Sequence, residues 1–262
     1  MLIIGERLNP AGKPALASAI REGNAAYIQK EALAQERAGA EALDIHASLA
    51  DVKHVREMQK MVEAVRAVSQ LPLVIDSRDF EIVAAGLPAA GSGASINSPV
   101  DRNKPDARLF SLAKEFNAEV FFLPLNQNRI PATSDEHIAA SSFILKRFED
   151  MGIPRARLVV DAMLLALKEA KGKVTETLER IQRLKIELGV RTVIGLSNIS
   201  YGLKNRGGIN ARFLKLAKGA GLDFVICDPL QKEVMRAAKE ERNALRPSET
   251  KEFLEFAETC GP

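Results

Sequence analysis

The sequence contains no tryptophan, two tyrosines and two cysteines, and each scarcity excludes a class of protein. Cys227 and Cys260 are too few for a disulfide framework or a four-thiolate zinc site. We therefore expect reduced thiols and an intracellular chain. Aromatic residues make up only 5% of the chain, which is few for a base-stacking surface. The three histidines, His46, His54 and His137, show no metal-ligand spacing, so no metal site is predicted.

The sequence also lacks a long apolar run and a block of charge of one sign. Its longest apolar runs, 120–125 and 162–167, are far shorter than the roughly 20 residues that span a bilayer. The opening MLIIGERLNP has neither the basic start nor the apolar stretch of a signal peptide. Lysine and arginine number 37 against 34 aspartates and glutamates, so the net charge is +3 and the basic residues are dispersed. We therefore expect a cytoplasmic protein that binds neither membranes nor nucleic acid.

What the sequence does contain is a regular alternation of short apolar runs with longer amphipathic segments. Eight apolar runs each lead to a polar residue, which is typical of strands buried on both faces of a parallel sheet. These runs are 2–4, 42–43, 73–75, 94–96, 120–125, 158–160, 192–196 and 224–227. Apolar residues spaced three and four apart predict helices over 52–68, 135–151, 174–188, 230–245 and 248–259. Asp51 is the expected cap of the first helix, and the Arg246-Pro247 step is expected to end the fourth.

The number of units points to a fold. Eight strand–helix units in 262 residues average about 32 residues each, which fits a closed barrel. An open doubly wound sheet is the alternative, although no G-x-G-x-x-G follows the first strand. No linker rich in proline, glycine or serine interrupts the pattern. The prediction is therefore an α/β protein, a (β/α)8 TIM barrel, in one domain over 1–262.

In such a barrel the active site lies at the carboxyl ends of the strands. The sequence places carboxylates, amides and one imidazole there. They are Glu6, Asn9, Asp44, His46, Asp76, Asn97, Asn126, Asp161, Asn198 and Asp228. Such groups suit a flat ring with many hydrogen-bond donors and acceptors, because a carboxylate accepts two parallel N–H bonds. Each residue could instead cap a helix or hold a loop, and this interpretation weighs most for Asp44, Asp228 and His46.

The sequence lacks the residues that several other enzyme mechanisms require. No lysine lies at a strand end, which disfavours a Schiff-base aldolase, and there is no G-x-S-x-G nucleophile elbow. A phosphate would need a glycine-rich turn before a helix, and Arg206-Gly207-Gly208 is the best candidate. A phosphate-binding barrel enzyme therefore stays open at this point.

Five short motifs follow one another through the chain. They are G-E-R-L-N at 5–9, I-D-S at 75–77, I-N-S at 96–98, G-L-S-N-I-S at 195–200, and N-R, I-N and F-L within 205–214. In this order and at this spacing the set resembles the methyltetrahydrofolate:corrinoid protein methyltransferases. Any one motif is weak alone, but together they extend the resemblance over essentially the whole chain.

The resemblance implies a pterin-binding TIM barrel, related to dihydropteroate synthase, that forms a homodimer. It implies methyl transfer between N5 of tetrahydrofolate and the cobalt of a corrinoid (cobalamin) carried by a separate protein. Asp76, Asn97 and Asp161 are then expected to hold the pterin ring. Asn198 is expected to be the catalytic residue near N5, with Arg206 at the mouth of the site. The remaining members of the expected substrate-binding set are Glu6, Asn126, Gly195 and Ser197.

The chain departs from the family's pattern at four places. It has His46 where asparagine or a similar residue is usual, and Asp161-Ala162 in place of D-P. It has P-L-N at 124–126 where the best-known members have T-M-N, and its loop 11–14 differs. The corrinoid partner and the net direction of transfer therefore stay open. A dihydropteroate synthase-like enzyme and a non-catalytic pterin-binding scaffold also remain as alternatives.

Overall fold

The structure, a computed structural model, describes residues 1–47, 55–169, 174–241 and 244–261. Eight parallel strands follow one another in sequence order around a closed barrel. They are Leu2–Leu8 (β1), Ala42–His46 (β2), Leu73–Asp76 (β3), Ser95–Asp101 (β4), Glu119–Leu125 (β5), Leu158–Asp161 (β6), Arg191–Gly195 (β7) and Phe224–Cys227 (β8). Pairing of β8 with β1 closes the sheet, so the predicted barrel is confirmed and the open doubly wound sheet is wrong.

Ten α-helices surround these strands in the described part of the chain. They are Pro14–Glu22 (α1), Ala25–Ala38 (α2), Val55–Arg66 (α3), Phe80–Ala90 (α4), Ala107–Glu115 (α5), Ser134–Asp150 (α6), Val174–Leu188 (α7), Arg206–Ala220 (α8), Lys232–Lys239 (α9) and Pro247–Thr259 (α10). The helices predicted over 135–151, 174–188 and 248–259 are confirmed to within one residue. The predicted start of α3 and its cap Asp51 lie outside the described residues.

The prediction of one helix over 230–245 is wrong, because α9 ends at Lys239 and α10 begins at Pro247. Glu240 adopts an extended backbone, and the Lys218 ammonium donates to the backbone carbonyls of Ala237, Ala238 and Glu240 at that end. These bonds satisfy carbonyls that a longer helix would bond internally. Pro247 then begins α10 rather than ending its predecessor, since the first turn of a helix needs no N–H there.

Side-chain alternation along the strands separates an apolar floor from a polar layer inside the barrel. The floor is a cluster of buried side chains contributed by seven strands, namely Ile4, Ala42, Val74, Phe121, Val159, Val193 and Phe224. The rings of Phe121 and Phe224 meet edge to face at 5.1 Å. Because strand side chains alternate, the next inward positions toward the carboxyl ends are polar on β1, β2, β3 and β6. The apolar floor therefore supports the strand-end residues that the sequence singles out.

A second, larger apolar core fills the space between the barrel and its helices. Cys227 belongs to this core and is 1% exposed. Across the described ranges, no helix combines the length and the apolar composition needed to cross a membrane.

Candidate active site

The carboxyl ends of β2, β3 and β4 bring four polar side chains together. The register sets His46 opposite Asp76 and Asp76 opposite Asn97. The Asn97 amide donates to Asp44 Oδ1 at 3.5 Å. Asp161, at the end of β6, is close enough for the charge of Asp76 to raise its pKa. The structure thus collects the predicted residues Asp76, Asn97 and Asp161 around one opening.

Asp44 is the most deeply placed of these carboxyl groups, with 2% of its surface exposed. Burial raises its pKa well above the ordinary value, and the charges of Asp76 and Glu6 raise it further. A carboxyl group that holds its proton can donate a hydrogen bond as well as accept one. The sequence interpretation of Asp44 as mainly structural overlooks this position, although the spacing of Ala42, Asp44 and His46 places all three on the inward face.

His46 and Asp76 form an ion pair on neighbouring strands. Nδ1 of His46 lies 3.1 Å from Oδ2 of Asp76, and the two side chains are 21% and 23% exposed. Burial alone would lower the pKa of His46, but the hydrogen bond and charge of Asp76 outweigh it and raise that pKa. The pair is therefore a titratable element at the wall of the opening.

Asp161 is held at the end of β6 by its own backbone turn. Its Oδ1 accepts a 2.8 Å hydrogen bond from the N–H of Met163, a residue with the unusual φ of +58°. Burial raises the pKa of Asp161 to about 6, and the charge of Asp76 acts in the same direction. An ionised carboxylate in this position is poorly solvated and would gain strongly from N–H donors of a ligand.

Replacing Asp161 with asparagine is expected to stabilise the folded protein at alkaline pH. The pKa of Asp161 is about 6 in the folded state against an ordinary 3.8, so the wild type loses stability as pH rises between these values. The variant should melt several degrees higher at pH 8, at about 2–4 °C per kcal/mol, with the gain gone below pH 4. Calorimetric melting at both pH values checks this, and a lower melting temperature at pH 8 would contradict it.

Two buried side chains support the Asp161 turn from the helices behind it. His137 of α6 lies with Nε2 2.9 Å from the backbone oxygen of Asp161, and burial and the charge of Arg180 lower its pKa to about 4. His137 is therefore neutral at pH 7 and donates its Nε2–H to that oxygen. Arg180 of α7, 1% exposed, donates to the Met163 carbonyl at 3.3 Å and pairs with Glu176 at 2.6 Å. The sequence analysis missed both residues as supports of the site.

Truncating Arg180 to alanine should therefore lower the free energy of unfolding by about 3 kcal/mol. The change leaves a cavity and removes the side-chain donor from the buried carbonyls of Ala162 and Met163. Arg183→Ala is the matched control on the same helix, because Arg183 pairs with exposed carboxylates and should cost at most about 1 kcal/mol. Urea unfolding measures both variants, and equal losses would contradict the assigned role of Arg180.

Glu6, Ser197 and Arg206 connect the first strand to the loop after β7. The Ser197 hydroxyl donates to Oε1 of Glu6 at 2.6 Å, and Nη2 of Arg206 donates to the Ser197 carbonyl at 2.9 Å. Burial raises the pKa of Glu6, although the Ser197 hydrogen bond partly offsets this. Arg206 itself is exposed in the first turn of α8. These three predicted residues are thus adjacent, with Arg206 outermost.

Gly195 and Asn198 lie against each other where β7 ends. A short 3-10 turn, Leu196–Asn198, follows the strand directly. A Cβ atom on Gly195 would come within 3.2 Å of Nδ2 of Asn198, which is tighter than almost all real contacts. The missing side chain of Gly195 therefore lets the Asn198 amide lie over the strand end. Asn198 is exposed at the opening rather than buried beside the floor.

Three other strand-end residues are engaged in loop structure. The amide oxygen of Asn126 accepts from Asn103 at 2.8 Å, and that of Asn9 accepts from the Ala11 N–H at 3.0 Å. Asp228 pairs with Arg7 at 3.1 Å. Among the described contacts, none joins Asn126 to the carboxylates around the opening.

The glycine-rich turn at the start of α8 is poorly suited to a phosphate. The Gly208 N–H already bonds the Asn205 side chain at 3.3 Å. The carboxylate of Glu233 lies 3.1 Å from where a Cβ of Gly207 would be, so negative charge already occupies this neighbourhood. The opening itself offers carboxylates, amides and one titratable imidazole, and no cluster of potential metal ligands occurs within the described residues.

The fold and this site define a class of barrel enzyme, and comparison with known proteins identifies it. The chain belongs to the pterin binding enzyme family, whose profile matches residues 5–228. It is 29% identical over 241 residues to a methylcorrinoid:tetrahydrofolate methyltransferase of Eubacterium limosum, covering 90% of this chain and 88% of that protein. It is 28% identical over 239 residues to a methionine synthase of Mycobacterium leprae (strain TN), covering 86% of this chain but only 20% of that longer protein.

Dihydropteroate synthases are among the solved structures with the same fold. The enzyme of Xanthomonas albilineans in complex with 7,8-dihydropteroate matches with a TM-score of 0.67 and 19% identity, over 90% of this chain and 89% of that one. The Yersinia pestis enzyme with a pterine-sulfa conjugate matches with a TM-score of 0.66 and 17% identity, over 90% of each chain. At these identities the likeness establishes the shared fold alone. The resemblance drawn from the sequence motifs is confirmed at the level of the family.

Proposed function

We propose that this protein is a methyltransferase that moves a methyl group between N5 of tetrahydrofolate and the cobalt of a corrinoid (cobalamin) carried by a partner protein. The observation that carries the proposal is the grouping of Asp76, Asn97 and Asp161 around one opening above an apolar floor. The Eubacterium limosum relative, which aligns over most of both chains, supports the same chemistry.

The hydrogen-bonding groups of the opening fit a pterin. The pyrimidine edge of a pterin carries an amino group and a ring N–H side by side, and one carboxylate can accept from both. We assign that role to Asp161, whose raised pKa reflects a carboxylate short of donors. The amide of Asn97 can both donate and accept, and Asp76 adds a further acceptor. Burial of these groups strengthens each bond to a ligand that excludes water.

Asn198 would serve the methyl-transfer step. The nitrogen N5 is a poor leaving group, so charge that develops on it must be stabilised or neutralised by a proton. The Asn198 amide is a donor that does not titrate, and Gly195 leaves space for it at the end of β7. The corrinoid, when its carrier is docked, supplies the nucleophilic cobalt in one direction and the methyl group in the other.

The partners proposed are therefore a corrinoid protein and a folate substrate. A dihydropteroate synthase-like activity has weaker support, because the likeness to those enzymes is one of fold alone. The homodimer and the cytoplasmic location expected from the sequence stay predictions.

Calorimetric titration with methyltetrahydrofolate, followed by methyl transfer to free cob(I)alamin, tests the proposal. We expect saturable binding and loss of the cob(I)alamin absorbance at a rate that depends on the enzyme. Binding without transfer would point to a pterin-binding scaffold, and failure to bind would overturn the assignment of the opening as a pterin site. Titration with 7,8-dihydropterin diphosphate in parallel tests the dihydropteroate synthase alternative.

A further inference from the structure

His46 occupies the wall of the opening in a position that leaves part of its side chain accessible. Its Nδ1 is buried and faces Asp76 at 3.1 Å, whereas 21% of the side chain is exposed. Because Nδ1 contributes nothing to that exposure, the accessible part belongs to the rest of the side chain, which carries Nε2. The inward alternation of Ala42, Asp44 and His46 places the His46 side chain inside the barrel, one inward position beyond Asp44.

Among the described residues, the charged groups placed nearest His46 are carboxylates. Asp76 faces it from β3, Asp44 lies two residues earlier on β2, and Glu6 of β1 lies beside Asp44. The charge of Lys13 reaches Asp44 and Glu6, and the charge of Arg206 reaches Glu6. Burial acts to lower the pKa of His46, but the facing Asp76 outweighs it and raises that pKa above the ordinary value of a histidine.

A group of this kind can supply the proton that N5 takes up when the methyl group leaves, and the other candidates are less suitable. Asn198 does not titrate, and Glu6 already accepts the Ser197 hydroxyl at 2.6 Å. Asp44 lies beneath the opening with almost no exposed surface. A histidine that faces a carboxylate with Nδ1 and keeps part of its side chain exposed has the arrangement expected of a general acid and base.

Resting on the proposed function, we infer that His46 is the proton-transfer residue of this site. Toward free tetrahydrofolate, Nε2–H gives its proton to N5, directly or through one water, as the N5–methyl bond breaks. The bonding pair stays on N5, and the methyl carbon bonds to the nucleophilic cobalt of the corrinoid partner. Solvent at the mouth then reprotonates the imidazole. In the opposite direction the N5 lone pair forms the bond to the methyl carbon, and the imidazole accepts the N5 proton.

The first test measures the protonation of His46 without any turnover. Ring-nitrogen NMR of the labelled protein follows the three histidines against pH, and His46→Asn identifies the signal by its loss. We expect the pKa of His46 to lie above that of an ordinary histidine and to fall in Asp76→Asn, which removes the facing charge. A pKa of His46 that does not move in Asp76→Asn would contradict the pairing on which the inference rests.

The second test measures catalysis in His46→Asn, which keeps a polar side chain but cannot titrate. We expect single-turnover transfer from methyltetrahydrofolate to cob(I)alamin to slow about 10²-fold at pH 6. This is the lower end of the roughly 10²–10⁴-fold that a general acid contributes. The wild-type rate should fall as pH rises through the pKa measured by NMR, and the variant should lack this titration. Folate affinity should change less than about threefold, since the carboxylates that hold the ring remain.

Chemical rescue separates proton transfer from a structural role. Imidazole added to His46→Ala should restore part of the lost rate, whereas it should not restore Asn198→Ala, the matched control. A His46→Asn variant with the wild-type rate and pH profile would overturn the role of His46, and so would a loss confined to folate affinity. Absence of transfer in the wild type would instead overturn the proposed function, and the role of His46 with it.

Discussion

Asp161→Ala should weaken methyltetrahydrofolate binding by roughly 1.5–3 kcal/mol, the usual contribution of a charged hydrogen bond. The carboxylate of Asp161 already accepts one N–H, that of Met163, and burial leaves it little water with which to complete its hydrogen bonds. Donors on a bound ring would therefore contribute more here than at an exposed carboxylate. Asp76→Ala should weaken binding over the same range. Calorimetric titration at pH 7.5 measures both variants.

The pH dependence of binding distinguishes the two carboxylates. Accepting N–H bonds requires ionised Asp161, so wild-type affinity should increase as pH rises through about 6 and reach a plateau above it. Asp161→Asn should lose this increase. Asp76→Ala should keep it but move it to lower pH, because the charge of Asp76 is one cause of the raised pKa of Asp161.

A carboxylate at the opposite end of the barrel provides the control for both variants. Asp223 precedes β8 and accepts from Thr192 and Lys185, far from the strand carboxyl ends. Asp223→Asn should leave the folate affinity unchanged. Unaltered affinity in folded Asp76→Ala and Asp161→Ala proteins would remove both residues from the site.

The barrel could be predicted from sequence because each strand carries its own apolar run, but the extent of the strands could not. β4 continues to Asp101, well beyond the apolar run 94–96, because its polar residues pair with β5 over the whole length from Ser95. The backbone ladder, which the sequence does not display, overrides local polarity. The helices α1 and α2 were not predicted individually, although Pro14, Gly23 and Asn24 occupy typical helix-end positions. The buried stripe of α2 consists of Ile28, Ala32 and Gln35, which is a weak apolar signal.

Some residues of the site could likewise be predicted from sequence, and others could not. Strand-end carboxylates and amides could be found because strands in a barrel present alternate residues inward, and these positions follow directly from the apolar runs. Their pairing across strands, such as that of Asp44 with Asn97, depends on the register of the strands and could not be predicted from sequence. Arg180 illustrates the remaining limit. It lies in the same charged helix as Arg183, and only the packing of α7 against the Asp161 turn makes one buried and the other a surface residue.

Asn198→Ala is expected to lower the single-turnover rate of methyl transfer by about 10²-fold or more, as the loss of one charge-stabilising donor does elsewhere. The amide lies at the opening, over Gly195, and the family resemblance assigns it to the neighbourhood of N5. Charge at N5 changes as the methyl group leaves or arrives. A donor there should therefore stabilise the transition state more than the bound ground state, and the rate should fall more than the affinity.

Gly195→Ala provides a variant that displaces the amide without removing it. The added methyl group would lie 3.2 Å from Nδ2 of Asn198, so the side chain must shift by a few tenths of an ångström. We expect a smaller loss of rate than in Asn198→Ala and little change in affinity, because positioning of a donor matters most in the transition state. If Gly195→Ala retains the full rate, the amide's exact position is unimportant to the reaction.

The decisive comparison is stopped-flow transfer to cob(I)alamin at saturating methyltetrahydrofolate beside an equilibrium titration of the same Asn198→Ala protein. A hydrogen bond made equally well to substrate and transition state would appear only as weaker binding, with the rate at saturation preserved. That result would make Asn198 a binding residue, and the stabilisation of N5 would then have to come from another group. His46 is the titratable candidate inferred above, and a loss of rate in His46→Asn under the same conditions, with none in Asn198→Ala, would support that role.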